Sequence, residues 1–249
     1  MFNQPFGPLF FGPFLLAMAE LGFRMGIRVP PKDGKALQTD ISGYQAAVLG
    51  LLALLLGFTF SMALNHYDIR RGLVIEEANS IGTTYLRTSF LPSGPRDLSR
   101  SLIREYVDLR LQDESSRKES GDIRNRIAVI ERELWKQAEI SVTATPSPIM
   151  ATYINSLNET FDQASTQVAS SRYRVPCALW MILIIVSVFG IWAAGFSAGL
   201  NGRRALFLTV GLPILITLVM LLITDMSTPS SGLIRTDYSS MSDLKESLK

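Results

Sequence analysis

Residues 45–71, QAAVLGLLALLLGFTFSMALNHYDIRR, decide the fold. From Tyr44 to Leu64 there is no charge and Leu dominates. At 1.5 Å rise per residue this stretch crosses a hydrocarbon core of about 30 Å. The second half turns polar on one side: Leu54, Phe58, Ser61, Asn65 and Asp68 recur at intervals of three or four and so share one stripe of a helix. Facing polar members of that stripe to lipid is costly, so they require water or another helix.

Three further apolar segments flank this one. Residues 175–200 and 205–224 carry no charge and qualify as spans by length and composition. Only Asn201, Gly202, Arg203 and Arg204 separate them, which forces an antiparallel pair. Residues 9–23 form a shorter span that contains Glu20, with Arg24 one turn on. A carboxylate inside an apolar span can take a proton, bind a cation or pair with Arg24 at i,i+4. Residues 1–8 hold no Lys or Arg and no small-residue cleavage site follows, which argues against a cleaved signal peptide.

Residues 66–174 between the second and third spans are hydrophilic, with 15 Lys and Arg balanced by 15 Asp and Glu. With a net charge of +2 for the whole chain, no nucleic-acid partner is expected. Apolar residues there follow helical spacing: Ile123, Ile127, Ile130, Leu134 and Ala138, then a heptad-like seam of Ile154, Leu157, Phe161, Ala164 and Val168 suited to a helical bundle or short coiled coil. Helix breaks fall at Pro92–Pro95, with Asp97 or Ser99 as the next cap, at Asp113–Gly121, and at Thr143–Ser147, where Ser147 caps and Pro148 occupies the first helical position. Gly211 and Pro213 mark a kink in the last span.

The reading is an all-α polytopic membrane protein with about four transmembrane helices and a helical extramembrane domain inserted between spans two and three. Its parts are residues 1–65 with the first two spans, 66–174 as the extramembrane domain, 175–224 with the last two spans, and 225–249 as a tail. A single Cys, Cys177, excludes an internal disulfide and a multi-Cys zinc site. The single His, His66, has no nucleophile in a recognisable elbow, and no phosphate loop, HExxH or EF-hand loop is present. No enzyme activity, metal or cofactor is expected.

The stretch LLGFTFSMALNHYDIRR, through Leu56, Gly57, Phe58, Ala63, Tyr67 and Arg71, resembles the membrane-exit motif of bestrophin channels. GFTFSMALNHYDIRR, EEANSIGTTYLRTSFLP and the SGLIR of residues 231–235 resemble a bacterial group of bestrophin-like membrane proteins, along nearly the whole chain. The channel resemblance implies a pentamer of helical subunits, a central pore lined by the second span, anion conduction, and a cytoplasmic domain with both termini on the same side. The chain departs from the channel motif at Thr59, Phe60 and Ser61, and no acidic cluster matches a calcium clasp.

Physically, Leu54 and Phe58 would form apolar rings around an axis, with Ser61, Asn65 and Asp68 as a hydrated mouth. The same stripe also suits hydrogen bonding to a neighbouring helix of the same subunit. Arg24, Arg28, Lys32, Lys35, Arg203 and Arg204 favour placing the two short links inside, while Arg70, Arg71, Arg172 and Arg174 argue for the domain. The adopted expectation follows the resemblance: an integral protein of the bacterial plasma membrane, with lipid, its own copies and inorganic ions as partners. The alternative is a membrane-anchored helical interaction or sensory protein without permeation.

Overall fold

The computed structural model describes residues 7–115, 121–144, 146–171, 173–204, 206–228, 234 and 236–249. Every regular element among them is helical: α1 (Gly7–Ile27), α2 (Pro31–Arg87), α3 (Ser93–Ser115), α4 (Gly121–Ala144), α5 (Pro148–Ser170), α6 (Cys177–Leu200), α7 (Leu212–Met226) and α8 (Ser239–Ser247). Four helices hold windows long and apolar enough to cross a membrane, in α1, α2, α6 and the segment Thr209–Met226. The chain is an integral membrane protein. Arg172, residues 116–120 of the break expected at Asp113–Gly121, most of the SGLIR stretch and the side chains of Lys32 and Lys35 lie outside the described residues.

The chain forms two compact units: residues 1–66 with 174–234, and residues 67–173 with 235–249. In the first, α1 and α6 run parallel, because Ala19 abuts Gly195 and Phe23 abuts Gly199. Gly22 and Gly26 on α1 face Trp192 and Phe196 on α6, so the two GxxxG stretches meet backbone to backbone. A Cβ at Gly22, Gly26, Gly195 or Gly199 would fall on a carbonyl oxygen of the opposite helix, of Trp192, Phe196, Ala19 and Phe23 respectively. Only glycine permits this approach. α7 returns antiparallel to α1, with Thr217 against Gly12 and Arg204 beside Glu20. Both arginine-bearing links therefore lie at the same end of this unit, where Gln38 also donates to Asn201 at 2.6 Å. In its apolar half α2 contributes Val48 and Leu49 to the surface of α6 at Gly190.

The first span is longer than the sequence suggests, reaching Ile27, because the pairing of Glu20 with Arg24 tempers the cost of carrying both charges along an apolar helix. The kink expected at Gly211 and Pro213 takes the form of a π-helical turn over Phe207–Gly211. Pro213 has no N–H to continue the regular ladder there.

The second unit has its own core, in which Val107, Ile130, Tyr153, Leu157 and Met241 are fully or almost fully buried. Ser147 caps α5 as expected, accepting from the Ile149 N–H at 3.2 Å, with Pro148 in the first turn. Neither Asp97 nor Ser99 caps α3. That helix starts at Ser93 and runs through Pro95, which lies in a first turn that leaves the proline nitrogen no bond to lose. Arg96 folds back to the Leu91 carbonyl at 2.9 Å, and Ser99 is buried inside the helix.

The α5 seam is consumed within the chain. Leu157 and Ala164 are buried in the core, with Ile154 and Phe161 packed against it, so these positions of the heptad spacing serve a bundle within the chain, while Val168 is half-buried. The segment 239–247 adds α8 to this unit, with Met241 and Leu248 in the core and the Leu248 carbonyl accepting from Arg104 at 2.6 Å.

Candidate functional site

Each residue of the polar stripe on α2 lies exposed. Leu54 is 54% exposed and Phe58 65%, and Ser61, Asn65 and Asp68 belong to the same class. The other side of the same helix is buried: Leu52 and Thr59 are 2% and 3% exposed, and Ala63 1%. Thr59 satisfies its hydroxyl locally, donating to the Leu55 carbonyl at 2.7 Å. One narrow side of the helix is therefore packed, and the stripe is left open together with apolar neighbours such as Leu51 and Leu64. The glycines at 43, 50 and 57 share this openness, since a Cβ at any of them would have no heavy atom within 4 Å.

Of the family-motif residues, Gly57 and Arg71 are exposed and Tyr67 is half-buried. Ser61 and Asn65 are both exposed. The pairing open to Glu20 is realised, and extended. Its carboxylate accepts from Arg24 at 2.9 Å and from Arg204 at 3.3 Å, and the Arg204 guanidinium stands 4.8 Å from the centre of the Phe23 ring. Glu20 thus belongs to an ion cluster of α1 and the link before α7, separate from the stripe residues. Cys177 is exposed with a free thiol, and His66 is half-buried. No group of three potential metal ligands occurs among the described residues.

Two arrangements were not read from the sequence. The glycine faces of α1 and α6 were legible in principle as Gly22-x-x-x-Gly26 and Gly195-x-x-x-Gly199. The other is a buried polar chain in the second unit: Arg110 donates to both Glu77 oxygens at 2.6 and 2.8 Å and to Gln167 at 2.9 Å, and Gln167 in turn donates to the Tyr238 hydroxyl. Burial lowers the proton affinity of the Arg110 guanidinium, but its hydrogen bonds to Glu77 and the charge of that carboxylate outweigh burial and hold it ionised. No local spacing marks these residues, which come from three different helices and from the residue that precedes α8.

The family model of the bestrophin-like domain matches residues 14–241. Neither the curated proteins nor the solved structures contain a significant match to the chain. The matched range starts inside α1 and runs through every later span into α8, taking in the α2 stripe, the glycine faces and the buried Glu77–Arg110 pair. The chain belongs to the bestrophin-like family.

Proposed function

We propose that the chain is one subunit of a closed homo-oligomeric channel for inorganic ions in a bacterial plasma membrane, with the open stripe of α2 lining the conducting path. The carrying observation is the exposure of Leu54, Phe58, Ser61, Asn65 and Asp68 on a helix whose opposite face is buried. Ser61 and Asn65 are costly against hydrocarbon, and copies arranged around an axis would turn them to water instead. Leu54 and Phe58 would then form the apolar constriction, which gates by dewetting.

Five copies is the number implied by the resemblance to bestrophin channels, and closed rotational symmetry gives every stripe the same environment. The open glycines at 43, 50 and 57 lie seven residues apart and leave room for close approach of such copies. In this reading residues 66–174 stand outside the hydrocarbon and face the cytoplasm. Anion conduction is the family's implication. Asp68 on the stripe and exposed Arg71 nearby leave the charge at the mouth mixed, so ion choice is an experimental quantity.

The test joins native mass spectrometry in mild detergent with reversal potentials in planar bilayers. A closed oligomer that conducts supports the channel. A monomer at micromolar protein with no flux would replace it with the membrane-anchored interaction protein.

A further inference from the structure

At the arginine-bearing end of the first unit, α1 and the chain leading into α7 enclose a cavity of about 210 Å³. Its walls include Leu16, Ala19, Leu206 and Val210, with Glu20 and Arg204 as its charged members. Val210 belongs to the π-helical turn Phe207–Gly211, a device frequent at functional sites. The charges here do not cancel. Arg24 and Arg204 both donate to the same carboxylate oxygen of Glu20, at 2.9 and 3.3 Å, so two cations converge on one anion. Stacking on the Phe23 ring holds the Arg204 guanidinium in place. Glu20 offsets one guanidinium and leaves the other in surplus, and no second carboxylate pairs with either arginine among the described residues. The two arginine side chains are 69% and 63% exposed, so their remaining N–H groups can meet a further acceptor. Arg28 and Arg203, both exposed, add to the positive field.

The position of the cavity selects the kind of anion. Arg204 lies in the short link between two helices that cross the membrane, which puts it at the headgroup boundary. From there Leu206, Val210 and Ile214 follow at four-residue intervals, all exposed, and offer an apolar track into the last span. A phospholipid meets both features. Its phosphate takes the paired donors of a guanidinium, and its chains lie on apolar surface. Basic pockets between transmembrane helices receive anionic headgroups in this way. The volume is below the range of about 300–1,000 Å³ for drug-sized ligands and suits a phosphate whose chains lie outside the cavity. A zwitterionic headgroup fits less well, because its ammonium would stand beside the surplus positive charge.

We propose that this cavity holds the phosphate of one anionic phospholipid, bound chiefly by Arg204 with Arg24 supplying the second charge, and with an acyl chain along Leu206, Val210 and Ile214. The site stands independently of whether α2 lines a pore.

Native mass spectrometry of the full-length protein released from nanodiscs tests it. The discs hold equal amounts of phosphatidylglycerol and phosphatidylcholine with the same acyl chains. The wild-type protein should retain one phosphatidylglycerol per chain in preference to phosphatidylcholine. Arg204→Gln should cut that retention about fivefold or more, and Arg24→Gln should also lower it. Arg174→Gln removes an exposed arginine at the other end of α6 and should leave retention unchanged. Glycerol 3-phosphate, which offers the phosphate without chains, should give no saturable heat by isothermal titration in detergent. If Arg204→Gln failed to fold, Arg24→Gln and the wild-type preference between the two lipids would still decide the matter. Equal retention of both lipids, unchanged retention in the folded Arg204 or Arg24 variant, an equal loss in Arg174→Gln, or saturable binding of glycerol 3-phosphate would overturn the assignment.

Discussion

Arg110 holds both carboxylate oxygens of Glu77 at 2.6 and 2.8 Å, with the two side chains 7% and 0% exposed. Such a pair need not add stability over a well-packed apolar pair, but each member depends on the other. Glu77→Gln or Arg110→Ala should destabilise the second unit by about 3–5 kcal/mol by stranding a buried charge. Faster hydrogen exchange of α3 and α5 amides would register the loss. The double variant Glu77→Leu, Arg110→Met should recover most of it, and a double variant as damaged as the single ones would refute this account.

Burial and the repulsion of Glu77 raise the proton affinity of Glu131, against the pull of Arg110, and this predicts a pH signature. Its folded-state pKa lies above its unfolded value, so the folded state holds the proton more tightly and stability is lost as pH rises through the carboxylate range toward the raised value. Glu131→Gln removes the titrating group and with it this dependence. Melting temperatures of Glu131→Gln and wild type should converge in acid, and the variant should become the more stable as pH approaches neutral. A difference independent of pH would assign the effect to packing.

Glycine substitutions should separate packed faces from open ones. Gly195→Val forces side-chain atoms onto the Ala19 carbonyl, a backbone group that cannot swing aside, and should separate α1 from α6. Detergent-solubilised protein should then aggregate or melt several degrees lower. Gly57→Ala meets no atom of its own chain and should leave the melt unchanged. A change in oligomer mass or ion flux in that variant would locate Gly57 at a contact between copies.

Phe58→Ala opens the proposed apolar ring and lowers the cost of wetting it, so liposome ion leak should rise. Phe60 lies about 160° round the helix and is half-buried, so Phe60→Ala should act on stability instead. Equal and silent flux in two folded variants would remove α2 from the conducting path.

Membrane topology is open to impermeant thiol labelling in a Cys177→Ser background. Ser101→Cys in α3 and Asn201→Cys in the link after α6 should fall on opposite sides, with Asn201→Cys labelled from outside intact cells. Labelling of Ser101→Cys alone would invert the orientation and keep four spans. Labelling of both from the same side would break the four-span topology.

Much was readable in the chain itself. Length and apolar composition mark the spans, because a helix satisfies its own backbone hydrogen bonds, as a hydrocarbon core requires. The spacing of Leu54, Phe58, Ser61, Asn65 and Asp68 put them on one face, and the Ser147–Pro148 cap needed only local chemistry. What the α5 seam faces was a tertiary matter. The same heptad spacing serves a bundle or an oligomer, and only the burial of Leu157 and Ala164 against α4 and its neighbours chose the bundle. The partner of Glu20 across 184 residues, the union of Glu77 with Arg110, and the meeting of Gly22 with Trp192 were likewise decided by folding. Sequence periodicity assigns a residue to a face of its own helix. Which distant group that face meets depends on how helices pack, and no spacing within one helix encodes it.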